Sequence, residues 1–223
     1  MAGHGAAADD KKPPRDAHPL LRADWHWGRL EGALNLIAAV SIFAIMVLGV
    51  LQIASRVGSA GARELWPEFP PIAIHGYIDW IEFVAVLYAL LGIAYCQRLG
   101  GHIRMEIVLA SIRGRARWLL ELLGIALALA ITLLLVHATF ENFLRAWING
   151  DSSMDIRLPQ WPSKLVVPVA LAVLAVRLAL QLWGYARLVL WPTALPMAVP
   201  LVVTADEAAR QEIAETEMRE RRG

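Results

Sequence analysis

Charged residues and cysteine are both scarce in this sequence. Aspartate, glutamate, lysine and arginine account for 18% of the 223 residues and leave a net charge of +1, whereas about 25% of a typical soluble domain is charged. The single cysteine, Cys96, excludes an internal disulfide framework and a dithiol redox mechanism within one chain. A net charge so close to zero gives no indication of nucleic-acid binding, and we expect no nucleic-acid partner.

Motifs that carry enzymatic chemistry are also lacking. The sequence contains no zinc-ligand spacing, no P-loop and no nucleophile elbow. Axial haem ligation would need a histidine on each of two facing helices at similar depth. Of the six histidines, only His137 lies within a long apolar stretch and His75 precedes one, so polar residues at a membrane interface are the favoured interpretation. We therefore expect no enzyme activity and no cofactor.

Long apolar runs are what the sequence has instead. Hydrophobic residues make up 57% of the chain and the mean hydropathy is +0.49, while a bilayer span needs about 20 mostly apolar residues. The second run is the weakest, because only residues 83–96 are free of charge. It still qualifies, since Tyr77 and Trp80 suit the membrane interface and Asp79 suits a first helical turn. We predict an all-α integral membrane protein with four transmembrane helices, at about residues 30–54, 77–97, 118–144 and 165–191.

The two ends differ from this middle domain of residues 29–191. Residues 1–28 are polar and lack an apolar stretch that leads to a cleavage site, so they are predicted to form a flexible arm and the first span is expected to be retained. Residues 192–223 are predicted to form a tail. Its apolar patch is broken by Pro196 and Pro200, and it then alternates acidic and basic residues, which is typical of a solvated helix.

Lysine and arginine near span ends predict the orientation of the spans. Basic residues are concentrated in the N-terminal arm, in the link between the second and third spans, and after the fourth span. The other two links are poorer in them. Because the two sets alternate along the chain, we expect both termini and the central link to be cytoplasmic, and the two remaining loops to lie on the outer side.

A few charged residues fall in or near the spans. Asp79 and Glu82 share a helix face, and Glu141 is expected at similar depth, so together they could relay protons or hold a cation. The simpler interpretation, which we favour, is that they lie at the lipid–water boundary and contact a loop or a partner. Arg177 lies well inside the fourth span, where it either snorkels to the cytoplasmic face or pairs with a carboxylate or backbone carbonyl of another helix, which would tie folding to a neighbour.

The residues that follow the second span carry a family resemblance. Residues 100–108, Gly-Gly-His-Ile-Arg-Met-Glu-Ile-Val, resemble the G-x-H-I-R-[VM]-[DE] signature of the small membrane subunit of tripartite ATP-independent periplasmic (TRAP) transporters, the DctQ type. The resemblance covers about residues 28–190. Further matching features are Arg56 at the end of the first helix, Glu82 early in the second, the Pro- and Trp-rich loop 156–162, and Arg177 inside the fourth.

This resemblance implies a role in a three-part, sodium-driven transporter of organic anions in the bacterial inner membrane. A large permease subunit (DctM type) carries the transport sites, a periplasmic protein (DctP type) binds the substrate, and the small subunit braces the large one. The outer loops are expected to help dock the binding protein. The arginines of the central link either contact anionic lipid or only determine the orientation of the spans. The candidate partner or lipid contacts are Arg56, Asp79, Glu82, His102, Arg104, Glu106, Asp151, Asp155, Arg157, Trp161 and Arg177.

Two other functions remain as alternatives at this stage. A membrane anchor of a redox complex would need facing histidines inside the membrane. A stand-alone channel or small transporter would need polar residues along one face of several spans, whereas the span middles consist mainly of Leu, Ile, Val and Ala.

Overall fold

The computed structural model consists almost entirely of long helices. It describes residues 18–70, 72, 74–100 and 115–191. The helices are α1 (Pro19–Leu65), α2 (Tyr77–Leu91), α3 (Ile93–Arg98), α4 (Arg115–Asn149) and α5 (Trp161–Leu190). Four helical segments are long and apolar enough to cross a membrane: Pro19–Leu65, Tyr77–Arg98, Trp118–Asn149 and Trp161–Leu190. The predicted all-α class with four membrane-spanning helices is therefore confirmed, while the orientation of the termini stays a prediction.

Helix α1 extends beyond the predicted first span at both ends. It has 47 residues, which makes it about 70 Å long. The prediction of a flexible arm up to residue 28 is wrong from Pro19 onward, and Arg56 lies inside the helix rather than at its end. The helix can start early because the His18 side chain accepts a hydrogen bond from the Leu20 amide at 3.2 Å and Pro19 occupies the first turn, where proline is favourable.

Packing explains why the early part of α1 is ordered. Leu20, Asp24, Gly28 and Glu31 are buried, and their spacing of three and four residues places them on one face of the helix. This face meets α5, and its polar members find partners there. The sequence pattern did not predict a helix in this segment. A membrane span is recognised by a run without charge, and this face contains two carboxylates.

Helices α2 and α3 together form the second span-length segment and are separated by Gly92. A side chain at Gly92 would press on the Asn35 Oδ1 atom of α1, because an added Cβ would lie 3.3 Å from it. Glycine at this position therefore allows α1 to approach closely. The pair covers residues 77–98, against a predicted span of 77–97.

Helix α5 is the centre of the domain. It packs along α4 on one side and against α2 and α3 on the other, and α1 packs mainly on α2. One apolar cluster joins Ala38, Leu91 and Ala170 from three helices, since small residues let membrane helices approach closely. A second cluster joins Ile125 of α4 to Leu178 and Tyr185 of α5.

Two polar layers lie at opposite ends of this packed region. The basal layer consists of Asp24, Glu31, Gln97, Arg177 and Gln181, and the loop layer consists of Gln52, Asp79, Ser153 and Asp155. Along α1 the layers are about 32 Å apart, and along α2 and α3 about 27 Å, at ~1.5 Å per residue. Both values are close to the thickness of a bilayer hydrocarbon core, about 30 Å. The cluster of Ala38, Leu91 and Ala170 thus lies between the two polar layers, and the cluster around Leu178 and Tyr185 lies at the level of the basal layer.

Candidate functional site

The basal layer is built around the guanidinium of Arg177, which is 1% exposed. Arg177 Nε donates to Glu31 Oε1 at 2.6 Å, and a terminal nitrogen of the same side chain donates to Glu31 Oε2. Its other terminal nitrogen donates to Asp24 Oδ1. This two-pronged contact with Glu31 uses the planar geometry in which arginine and carboxylate bind most strongly. One buried cation is therefore held by two carboxylates of α1.

A neighbouring cation is accommodated by a glycine on the same face of α1. A Cβ atom at Gly28 would overlap the guanidinium of Arg98, at the end of α3. The glycine thus leaves the space through which the Arg98 side chain reaches α1. Helices α1, α3 and α5 all contribute charged side chains to this end of the domain.

A reciprocal pair of amides connects α3 to α5 within the basal layer. Gln97 Nε2 donates to Gln181 Oε1 at 2.8 Å, and Gln181 Nε2 donates to the Gln97 backbone oxygen at 3.3 Å. Both side chains are buried. A further bond, from Trp27 Nε1 to the Val173 carbonyl at 3.3 Å, connects α1 to α5. Each of these hydrogen bonds joins two different helices, so the basal polar groups act as interhelical connections.

Of the two interpretations of Arg177, snorkelling and ion pairing, the structure supports ion pairing with carboxylates. Its partners, however, belong to this chain, so the guanidinium does not need a second protein for its charge. The sequence reasoning missed Asp24 and Glu31. A signal was available in their seven-residue spacing, which places two acids on one helix face just before a charge-free run.

The loop layer is built around Asp79 in the first turn of α2. Its Oδ2 atom accepts a hydrogen bond from Ser153 Oγ at 2.6 Å and from the Ile156 amide at 3.0 Å. Ser153 Oγ in turn accepts from the Leu158 amide at 2.9 Å. One carboxylate therefore pins the loop between α4 and α5 onto the start of α2.

A second acid fixes the same loop to the residue before α2. Asp155 Oδ2 accepts from the Gly76 amide at 3.1 Å. Gly76 has a positive φ of 67°, and a Cβ there would collide with the Ile156 side chain, so this contact requires glycine. Nearby, Gln52 Oε1 of α1 accepts from the Ile74 amide at 2.8 Å. The loop layer thus ties α1, α2 and the α4–α5 loop together.

The tip of this loop, residues 154–157, lies on the protein surface. Its base is closed by a bridge between Ser152 and Pro159 and by a 2.6 Å ion pair of Lys164 with Asp151. Met154 and Arg157 at the tip are exposed, and Arg157 has a φ of 55°, an uncommon left-handed conformation for a residue with a side chain. A constrained loop therefore displays an apolar and a cationic side chain.

The remaining predicted contact residues are scattered. Arg56 and Glu82 are exposed on α1 and α2, and Trp161 packs edge-on against Trp147 with ring centroids 4.7 Å apart. Three further candidates, His102, Arg104 and Glu106, lie outside the described residues.

The suggested carboxylate cluster does not form. Glu82 is exposed whereas Asp79 is buried, and Glu141 pairs with His137 and Arg145 of its own helix. The reason is that α4 packs along α5 rather than beside α2. Within the described part of the chain, no three His, Cys, Asp or Glu side chains group closely enough to hold a metal ion. Asp79 instead contacts a loop, as the simpler interpretation had it.

Comparison with known proteins gives one match. Residues 69–188 match the family described as tripartite ATP-independent periplasmic transporters, DctQ component. The match covers more than half of the chain and includes α2, α3, α4 and most of α5, whereas α1 ends before the matched region begins. Searches of curated proteins and of solved structures found no match.

Proposed function

This chain belongs to the DctQ family, the small membrane component of TRAP transporters, and on that premise we propose that it braces the large permease subunit and helps dock the substrate-binding protein. The polar contacts of the two layers support a bracing role. Arg177, Gln181 and Asp79 each use their buried polar atoms to join separate parts of the fold. A brace needs helices whose relative positions are fixed, and these hydrogen bonds fix them at both polar layers.

The packing between the two layers also favours a brace over a stand-alone transporter. A transporter carries its substrate site near the middle of the membrane, formed by interrupted helices. In this chain the corresponding level between α1, α2 and α5 is filled by Ala38, Leu91 and Ala170, with Leu87 and Val166 packed around them. Transport through the large subunit, with this chain as its support, agrees with that packing.

The α4–α5 loop is the proposed docking element for the binding protein. Asp79 and Asp155 hold the loop at two points, so its exposed tip is constrained before any partner arrives. A preorganised surface loses less conformational entropy on binding. Met154 supplies an adaptable apolar contact and Arg157 a charge that can meet a carboxylate.

The remaining parts of the proposal follow from the family and the charge distribution. The transporter would be sodium-driven, would take up organic anions, and would reside in the bacterial inner membrane. Both termini of this chain would be cytoplasmic, which places the α4–α5 loop on the periplasmic side, where the binding protein is found.

The test is co-expression of the tagged chain with the large permease subunit, followed by purification and uptake measurements with the binding protein in proteoliposomes. The large subunit is expected to co-purify, and replacement of Asp151, Asp155 and Arg157 by alanine is expected to lower uptake without loss of the complex. Arg22→Ala, at the opposite end of α1, is the control. Purification of the chain alone would contradict the bracing role, and unchanged uptake by the loop variant would contradict the docking role. A haem-like visible absorbance spectrum would instead favour a redox anchor.

A further inference from the structure

Helix α4 carries a stripe of ionisable side chains on the side that faces away from the rest of the chain. His137, Glu141 and Arg145 follow one another at intervals of four residues, and their side chains are 78%, 53% and 73% exposed. Ala146, on the opposite side of the helix, is almost completely buried. The stripe therefore points to whatever surrounds the protein at this position.

The depth of the stripe can be read from the aromatic pair at the end of α4. Trp147 meets Trp161, and the Asp151–Lys164 ion pair lies just beyond, which marks a membrane boundary since tryptophan favours that level. At ~1.5 Å per residue, Glu141 lies about 9 Å and His137 about 15 Å inward from Trp147 along the helix. The hydrocarbon core is about 30 Å thick, so His137 lies inside it.

The hydrocarbon of lipid is an unfavourable environment for these side chains. Ionisable residues inside a membrane almost always face protein or a water-filled cavity, because burying them in hydrocarbon is costly. The contacts within the stripe do not remove the problem. Glu141 lies 3.4 Å from His137 Nε2 and 4.0 Å from Arg145, whereas charge-assisted hydrogen bonds are about 2.7–2.9 Å long. The Glu141 carboxylate therefore keeps unused capacity to accept hydrogen bonds.

Helix α1 provides an instructive contrast. Its exposed surface at comparable depth consists of apolar side chains such as Phe43, Met46 and Val50, and the sequence carries no charge between Glu31 and Arg56. That surface suits lipid. The outward faces of α1 and α4 thus differ in chemistry, and of these two it is the α4 face that requires a polar partner.

We propose that the outward face of α4 is the surface that binds the large permease subunit, and that it receives a transmembrane helix of that subunit with a hydrogen-bond donor opposite Glu141. Leu127, Leu134 and Ile148 lie on the same face as the stripe and are exposed, so a helix packed along α4 would cover apolar and polar groups together. This inference rests on the proposed bracing function, and it names the surface of this chain that contacts the large subunit.

The experiment compares matched variants of the two faces in the co-expressed complex. Glu141→Leu removes the polar contact, and Leu134→Trp introduces bulk on the α4 face. Val50→Trp is the control, because Val50 of α1 is 62% exposed and Leu134 is 68% exposed. Loss of one interhelical hydrogen bond or of close packing is expected to reduce the amount of large subunit retained by the tagged chain about tenfold, while Val50→Trp retains it fully.

The possible results separate the inference from the function on which it rests. If the unmodified chain retains the large subunit and both α4 variants retain it equally well, the α4 surface is wrong and the bracing function stands. If the unmodified chain retains none, both fail. Membrane levels of each variant are measured in parallel, and a lipid-facing Glu141 would give unchanged or higher levels and full retention for Glu141→Leu.

A cross-linking measurement covers the case in which a variant folds poorly. A photoreactive benzoylphenylalanine is introduced at Leu134 or at Val50 in the complex. An adduct with the mass of this chain plus the large subunit is expected from position 134 and not from position 50. An adduct of two copies of this chain, or an adduct with the large subunit from position 50 alone, would overturn the assignment.

Discussion

Arg177 on α5 donates two hydrogen bonds to the two carboxylate oxygens of Glu31 on α1, and the two residues are 146 positions apart in the sequence. Both side chains are fully buried. The contact joins two helices that are far apart in the sequence, so α1 reaches its final environment only when α5 is in place. Asp24 completes the set, and the two carboxylates and one guanidinium form a single interhelical connection.

Arg177→Leu is expected to destabilise the protein strongly. Without the guanidinium, Glu31 and Asp24 would remain buried without a cation between them, and breaking a buried ion pair in this way costs about 3–5 kcal/mol. Thermal unfolding of the purified protein in detergent should show a lower midpoint, and the level in membranes should fall. Arg177→Lys should lie between, because lysine cannot make the paired contact with Glu31.

Two controls separate the effect of charge pairing from a general effect of losing arginine. Arg56→Leu removes an exposed arginine from α1 and should change the midpoint little. The triple variant Asp24→Asn, Glu31→Gln, Arg177→Met removes all three charges, and because buried ion pairs are often replaceable by neutral groups, it should be more stable than Arg177→Leu alone. Equal stability of these two variants would show that the charges are not coupled.

The sequence predicts the number of candidate membrane spans well because the rule for a span is local. A run of about 20 residues without charge has few alternatives in a membrane protein, and four such helices are found. The early start of α1 was missed because the buried face of this segment packs on other helices. Asp24 and Glu31 of α1 pair with Arg177 of α5, and no local pattern reveals which residues α5 presents to α1.

The rotation of each helix is the other property that the sequence leaves open. Asp79 and Glu82 share a face in a schematic helix, yet in the structure one is buried against the α4–α5 loop and the other is exposed. Likewise, the sequence marks Glu141 as a charge in a span but does not show that it points away from α5. Contacts between pairs of helices determine the rotation of each helix, and a single sequence indicates those contacts only indirectly.

Asp79→Ala is expected to loosen the α4–α5 loop. The change leaves Ser153 Oγ and the Ile156 amide without their acceptor, so hydrogen exchange at the Ile156 and Leu158 amides should become several-fold faster. Asp79→Asn keeps one oxygen and should have a smaller effect. Glu82→Ala, one helical turn further along α2 and exposed, should leave both amides unchanged. Slow exchange at Ile156 in Asp79→Ala would show that the loop is held by other contacts.

Gly76→Ala is expected to destabilise the junction before α2. The φ of 67° is unfavourable for alanine by about 1–2 kcal/mol, and the added methyl group would press on Ile156. Gly61→Ala provides the comparison, since Gly61 lies within α1 with open space around it and alanine is favoured over glycine in a helix by roughly 0.5–1 kcal/mol. The unfolding midpoint should fall for Gly76→Ala and stay level or rise for Gly61→Ala. The opposite order would contradict the left-handed conformation at Gly76.

The orientation in the membrane is tested by cysteine labelling in a Cys96→Ser background. Met154 is fully exposed at the tip of the α4–α5 loop, and Ser111 falls in the link between the second and third predicted spans, where arginines are concentrated. Since basic links stay in the cytoplasm, a membrane-impermeant maleimide should label Met154→Cys in intact spheroplasts but should label Ser111→Cys only after the membrane is permeabilised. Labelling of Ser111→Cys from outside would show that the orientation is the opposite of the one predicted. It would also remove the α4–α5 loop from the side on which a periplasmic binding protein could reach it, so this measurement bears directly on the docking proposal.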